Sequence, residues 1–231
     1  MSDEYPGLED FSGVVRLFPL PNLVLFPFVM QGLHIFEPRY RQMTADALQE
    51  DRLLTMALLR PGWESKTKGL PQLYPVGCVG RIISHQQLDD GRYNLQLRGL
   101  SRVQIVTEIP TEKPYRTARV QILEDIPVEL PATEKKLRQR LTKLVPPWCP
   151  TQEPAAGIFR KLLESNLLLG MVCDILGYAL PLALETKQDL LATLNVERRV
   201  RKLIAYLETH TPPKQAEAQT TGKFPPDFSL N

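Results

Sequence analysis

The side chains that could carry out covalent or metal chemistry are few and scattered along the chain. They are three histidines and three cysteines: His34, His85, His210, Cys78, Cys149 and Cys173. No C-x-x-C, G-x-S-x-G, H-E-x-x-H or G-x-x-x-x-G-K-[ST] motif occurs, which argues against a zinc site, an activated serine and an ATP-phosphate cradle. We therefore predict a non-enzymatic protein with no catalytic residue, no metal and no cofactor.

Charge and apolar side chains meet in one short stretch, Glu37-Pro38-Arg39-Tyr40-Arg41. Glu37, Arg39 and Arg41 could form a charged rim that orients a bound polypeptide beside apolar residues. The alternative is structural, because Glu37 and Arg41 are four residues apart and can pair on a helix surface. Tyr40 would then belong to the core.

A second candidate is the long polar segment 60–75, which is rich in proline and glycine. It carries the apolar residues Trp63, Leu70, Leu73 and Tyr74. Long loops in compact domains are often functional, and exposed aromatic residues favour contact sites. The equal alternative is that these side chains fold back onto the core.

The charge pattern does not favour a nucleic-acid or membrane surface as the partner. The net charge is +2, although residues 134–143 and 197–202 are locally basic. Both basic runs lie on helical patterns, whose outer faces are ordinarily solvated. The apolar stretch 167–184 contains Asp174 and Pro181, so we predict two buried helices rather than a membrane span. The N-terminus has no apolar signal-peptide core, and widely spaced cysteines fit a cytoplasmic protein.

Hydrophobic periodicity divides the chain into a β-rich part and a helical part. Residues 79–83 and 92–98 predict a hairpin around Asp90-Gly91, and residues 23–26 and 102–106 predict further strands. Phe36, Tyr40, Met43 and Ala47 share one face of a predicted helix. We predict a flexible leader (1–12), a β-rich domain (13–127), a helical subdomain (128–209) and a disordered tail (210–231).

Several short motifs, in order, make the chain resemble the substrate-binding N-terminal domain of the Lon protease family. They include Leu17-Phe18-Pro19-Leu20, Val24-Leu25-Phe26-Pro27, Ile35-Phe36-Glu37-Pro38-Arg39-Tyr40-Arg41, Pro75-Val76-Gly77-Cys78-Val79-Gly80-Arg81-Ile82, Asp90-Gly91-Arg92-Tyr93, Pro114-Tyr115 and Leu180-Pro181-Leu182. The resemblance covers about residues 14–208. No Walker A motif and no Ser-Lys peptidase module accompany it, so the chain is similar to a free-standing N-domain.

This resemblance implies an α+β protein. Its N-terminal part would be a PUA-like β-pseudobarrel with one helix, followed by a C-terminal α-helical bundle. The implied function is non-catalytic recognition of unfolded or exposed polypeptide, in an adaptor or chaperone-like role. Two alternatives stay open: an RNA-binding PUA-like module, and a regulatory partner of a full-length Lon protease.

Overall fold

The computed structural model describes Leu8, residues 11–64 and 69–212, and the backbone of residues 229–230. It has two compact units, Met1–Leu123 with Asp227–Asn231, and Glu124–Pro226. The first contains β1 (Val14–Leu20), β2 (Met30–Ile35), α1 (Pro38–Gln49), β3 (Leu53–Leu58), β4 (Val76–Gln87), β5 (Tyr93–Ile109), β6 (Thr117–Leu123) and β7 (Ser229–Leu230). The second contains α2 (Pro131–Leu144), a 3₁₀ turn (Pro146–Trp148), α3 (Ala155–Glu164), α4 (Leu169–Ala179), α5 (Leu184–Ala192) and α6 (Val196–Thr209). The predicted α+β class is confirmed.

The mixed sheet of the first unit closes on itself. Its strand order is β4-β3-β1-β6-β5-β2-β7, and β4 also pairs with β5. Five strands therefore form a ring, in which β1 and β3 are parallel and the other neighbours antiparallel. β2 lies outside this ring, paired with the first part of β5.

The predicted hairpin is present as β4 and β5, and Gly91 in its turn has φ of 79°. Only glycine adopts such a φ readily. The separate strand expected at residues 102–106 is instead the continuation of β5. Register shifts after Val79 and after Ile105 allow the sheet to bend without interrupting this strand.

The strand expected at residues 23–26 does not form, although Val24, Leu25 and Phe26 are buried. Flanking prolines cannot donate to a ladder, and apolar burial alone does not require strand pairing. Near the N-terminus, Leu8 is buried and Phe11 packs on the same core cluster. The rest of the expected leader lies outside the described residues, as does most of the expected tail, and our domain boundaries stay predictions.

Helix α1 is fixed by a buried carboxylate. Asp46 accepts hydrogen bonds from Tyr115 Oη (2.6 Å), Lys113 Nζ (2.8 Å) and Gln42 Nε2 (2.7 Å). Burial alone would raise the pKa of Asp46, but these donors outweigh it and hold that pKa below its usual value. Burial, together with the bond to Asp46, raises the pKa of Tyr115 to about 12.

In the second unit, α4, which lies within the apolar stretch 167–184, carries a buried charge. Asp174 and Arg199 are both fully buried, with Arg199 Nε 3.3 Å from Asp174 Oδ1. Arg199 also donates to Asp125 and to the carbonyl oxygen of Thr193. Burial alone would lower the pKa of Arg199, but the two carboxylates outweigh it and raise it.

The last helix of this unit and the break between α4 and α5 follow from local sequence. The stripe Val196, Val200, Leu203 and Leu207 on α6 is buried, and Asn195 caps this helix by accepting from the Arg198 amide. α4 ends at Ala179, before Pro181, and α5 begins at Leu184. Within the described part of the chain, no helix has both the length and the apolar character needed to cross a membrane.

Asp46→Asn should lower the free energy of unfolding by about 1–3 kcal/mol at neutral pH, because it removes the charge that three donors satisfy. A depressed carboxyl pKa stabilises the fold above the unfolded-state pKa. The stabilisation is lost as the pH falls through the folded-state pKa. The gap to the wild type should therefore be constant near pH 7 and should close as the pH falls below about 3.8. Urea unfolding at several pH values tests this, with exposed Asp89→Asn as control. A gap that persists at pH 2 would contradict it.

Arg199→Met should destabilise the second unit by about 3–5 kcal/mol, because it removes the positive charge that compensates the buried Asp174 carboxylate. The double variant Arg199→Met/Asp174→Leu should recover much of that loss, since no buried charge is left alone. Chemical unfolding followed by circular dichroism measures both, with exposed Arg198→Met as the control. Equal losses in the single and double variants would show that the ion pair is not the cause.

Candidate functional site

The start of α1 brings together two of the candidate rim residues. Glu37 stands at the N-cap with extended backbone, and Pro38 begins the helix. Arg39 NH2 lies 2.8 Å from Glu37 Oε2, and its guanidinium also lies 4.5 Å from the centroid of the Tyr40 ring. Glu37 and Arg39 therefore neutralise each other, and this surface offers a compensated pair rather than free charge.

Tyr40 is buried, as its periodicity predicted, with its ring 4.5 Å from that of Phe18. Burial raises its pKa, with smaller opposing effects from Arg39 and Arg116. Arg116 also donates to the carbonyl oxygen of Pro71 and pairs with Glu108. The start of α1 and the base of the 60–75 loop thus share Arg116 as a neighbour.

Arg41 points elsewhere, to the tip of the β4–β5 hairpin. Its guanidinium lies so close to Gly91 that a Cβ there would stand 2.1 Å from NH2. Arg41 is half-buried in this position. Arg41, the third rim candidate, therefore packs against the hairpin tip and does not join the Glu37–Arg39 ion pair.

The four loop candidates divide between exposed and packed positions. Leu70 is 64% exposed, whereas Leu73 packs on the core cluster and bridges to Leu59. Trp63 and Tyr74 are half-buried, and the Arg60 guanidinium lies 5.6 Å from the centroid of the Tyr74 ring. The loop therefore exposes Leu70 and folds Leu73 back onto the core.

The prediction that Phe36 shares one helical face with Tyr40, Met43 and Ala47 is wrong for Phe36, because α1 begins after it, at Pro38. Phe36 is 39% exposed, whereas Tyr40, Met43 and Ala47 on that face are buried. Its ring stacks with His34 at 6.2 Å, and His34 is bonded to Asn94. Pro38 allows a helix start near Phe36 or Glu37, but it stands at the first helical position itself, which puts Phe36 before the helix and outside its periodicity.

Other exposed apolar side chains of the first unit were also missed. Ile83 and Val106 lie at register shifts of β4 and β5, and they are 47% and 58% exposed. A bulge adds one residue to a strand and breaks the alternation that sequence patterns rely on. Phe28, 42% exposed, has φ of 68°, which no local pattern predicted.

The exposed apolar and charged side chains described above can contact a ligand. Within residues 11–64 and 69–212, no group of three histidine, cysteine, aspartate or glutamate side chains could hold a metal ion. His34 is hydrogen-bonded to Asn94 and lies 3.3 Å from Arg92 NH1, and none of Cys78, Cys149 and Cys173 is in a disulfide. What this unit presents is apolar surface bordered by paired charges.

Residues 14–209 match the model of a protein family described as the ATP-dependent protease La (LON) substrate-binding domain. Lon protease 2 of Myxococcus xanthus is 30% identical over 212 residues, which are 87% of this chain and 24% of that protein. Lon protease 2 of Herpetosiphon aurantiacus is 30% identical over 217 residues, 90% of this chain and 26% of the relative. The chain thus spans about a quarter of the length of these relatives.

Solved structures share the fold. The Lon N-terminal domain protein from Xanthomonas campestris has a TM-score of 0.62 and 24% identity, covering 84% of this chain and 98% of that one. The N-terminal domain of the Mycobacterium avium complex Lon protease has a TM-score of 0.66 and 18% identity, covering 85% and 99%. With the family match over residues 14–209, the chain belongs to the Lon substrate-binding domain family.

Proposed function

We propose that the first unit recognises unfolded or exposed polypeptide through the surface around Phe36. The observation that carries this proposal is an exposed aromatic side chain beside a charge pair that is already compensated. Such a surface gains by burying apolar groups, while Glu37 and Arg39 set orientation at its border. The family's description as a substrate-binding domain supports the same class of ligand.

The contact set that we propose includes Phe36 with part of the set predicted from the sequence. Glu37 and Arg39 border the surface, and exposed Leu70 with half-buried Trp63 and Tyr74 extends it along the loop. Leu73 packs on the core cluster and Arg41 lies against the hairpin tip, so we do not place these two residues in the direct contact set.

The RNA-binding alternative finds less support in the charges. Phosphate binding needs lysine or arginine side chains whose charge is not already compensated by a carboxylate of the protein. Arg92 and Arg116 are paired with Asp90 and Glu108. In the two basic runs of the second unit, Arg140 pairs with Glu208 and Lys202 with Asp189, at 2.5 and 2.6 Å. The likeness to PUA-like pseudobarrels, and to a helical bundle in the second unit, is a fold-level analogy within this proposal.

The wider role proposed for the chain is that of an adaptor or chaperone-like factor in the cytoplasm. The relatives that carry this domain are Lon proteases, so a full-length Lon protease is the second partner that we propose. A regulatory partner of that enzyme would use the same family of N-domain contacts. Co-purification at native expression tests this role, and a consistent absence of Lon would contradict it.

Phe36→Ser should weaken binding of a permanently unfolded probe, reduced and carboxymethylated α-lactalbumin, by about 5- to 30-fold. Burial of part of an aromatic side chain contributes about 1–2 kcal/mol. Fluorescence anisotropy of the labelled probe measures the Kd. Val106→Ser is the matched control, because it removes an exposed apolar side chain from the same unit. An unchanged Kd for Phe36→Ser, with a loss for Val106→Ser, would place the surface elsewhere.

Binding of the same probe should change little between about 50 and 200 mM salt, because it rests on apolar burial. Binding through phosphate contacts would instead weaken steeply over that range. Parallel titrations with a single-stranded RNA of mixed sequence make the comparison. Tight, salt-sensitive RNA binding without probe binding would favour the RNA-binding alternative.

A further inference from the structure

Helices α2 and α6 enclose a groove that the proposed function does not use. Each helix contributes residues at positions i, i+3, i+4 and i+7 to its lining, and the groove has a volume of about 450 Å³. Residues with this spacing share one face of a helix. The lining residues are Thr133, Lys136, Leu137 and Arg140 from α2, and Arg201, Ile204, Ala205 and Glu208 from α6.

The floor of this groove is apolar. Leu137 is buried and Ile204 is half-buried, whereas Ala205 is exposed. Alanine has no side chain beyond Cβ, so α6 leaves room for a ligand at this position. A ligand that covers these three residues would gain by removing their apolar atoms from water.

The border of the groove carries an excess of positive charge. Lys136, Arg140 and Arg201 contribute cations to the lining, and Glu208 contributes a carboxylate. Arg140 Nε lies 2.8 Å from Glu208 Oε1, and Arg201 NH2 lies 2.7 Å from Oε1 of Glu197. Within the part of the chain that the structure describes, Lys136 pairs with no carboxylate. Both arginines are exposed, and such exposed pairs contribute little to stability, so a ligand carboxylate can replace the protein's own at small cost.

The two walls also restrict the conformation of the ligand. They are helices, whose backbone N–H and C=O groups are bonded within each helix and cannot pair with an extended segment. A helical ligand satisfies its own backbone in the same way. From Thr133 to Arg140, α2 rises by about 10 Å, so the groove accommodates about two turns of a helix laid along it.

We propose that the groove between α2 and α6 binds an acidic amphipathic helix of a partner polypeptide. Apolar side chains of that helix, at positions i, i+3, i+4 and i+7, cover the floor, and its carboxylates face Lys136 and the two arginines. This site belongs to a different unit from the surface around Phe36 and takes a helical ligand rather than an unfolded one. One uncompensated lysine can select the charge of a ligand held mainly by apolar contacts, whereas nucleic-acid binding depends on several such cations.

Two labelled peptides test this with the full chain. One consists of three repeats of Glu-Leu-Glu-Glu-Leu-Leu-Glu, and the other has lysine in place of each glutamate. Fluorescence anisotropy measures both Kd values. We expect the acidic peptide to bind at least about 10-fold more tightly, because opposite charges then meet at the border of the groove. Equal Kd values, or tighter binding of the lysine peptide, would overturn the inference.

Lys136→Glu reverses the uncompensated charge and should weaken binding of the acidic peptide by about 3- to 10-fold. Lys135→Glu is the matched control, because Lys135 is an exposed residue of α2 that does not line the groove. It makes the same change in net charge and should leave the Kd nearly unchanged. Equal losses in the two variants would show that net charge, and not the groove, attracts the peptide.

Ala205→Trp fills the groove with a large side chain and should weaken binding of the acidic peptide at least about 10-fold, because the peptide would clash with it. Ala192→Trp, at an exposed position of α5, is the control. An unchanged Kd for Ala205→Trp would overturn the inference. A loss of acidic-peptide binding in Phe36→Ser would also overturn it, because that result would place the peptide on the surface of the first unit.

Discussion

The first unit depends on a close approach of two backbone segments at Gly99. A Cβ at this position would lie 2.0 Å from the carbonyl oxygen of Phe26, which no side chain could tolerate. The Phe28 amide donates to the Gly99 carbonyl oxygen, and the Gly99 amide donates to that of Val29. These two hydrogen bonds hold Phe28 and Val29, which lead into β2, against the middle of β5. β2 therefore pairs with the first part of β5, while β6 pairs with its later part.

Closure of the ring has a cost that explains the exposed apolar surface. β5 has partners on both sides over much of its length, and register shifts accommodate its curvature. Those shifts leave Ile83 and Val106 exposed. The same topology leaves β2 outside the ring, with Phe36 at its end. An exposed aromatic side chain such as Phe36 would be a liability in an isolated domain, but it is what the proposed polypeptide-binding surface requires.

Charges are arranged differently in the interior and at this surface. Asp46 and Arg199 are buried with several partners each, because an isolated buried charge is too costly to retain. Arg39 is exposed and Glu37 half-buried, and they pair only locally, an arrangement that contributes little to stability. Such a pair can exchange partners at small cost, which suits a border for ligands of varied sequence.

Local pattern determined much of this protein. The hairpin turn at Gly91, the buried face of α1, the Asn195 cap and the ordered family motifs all follow from residues close together in sequence. Tertiary structure alone decided the exposure of Phe36, the bulged residues, the continuation of β5 through residues 102–106, the partners of Asp46 and the position of β2 outside the ring. Each of these depends on contacts between distant segments, and periodicity carries no information about which segments meet.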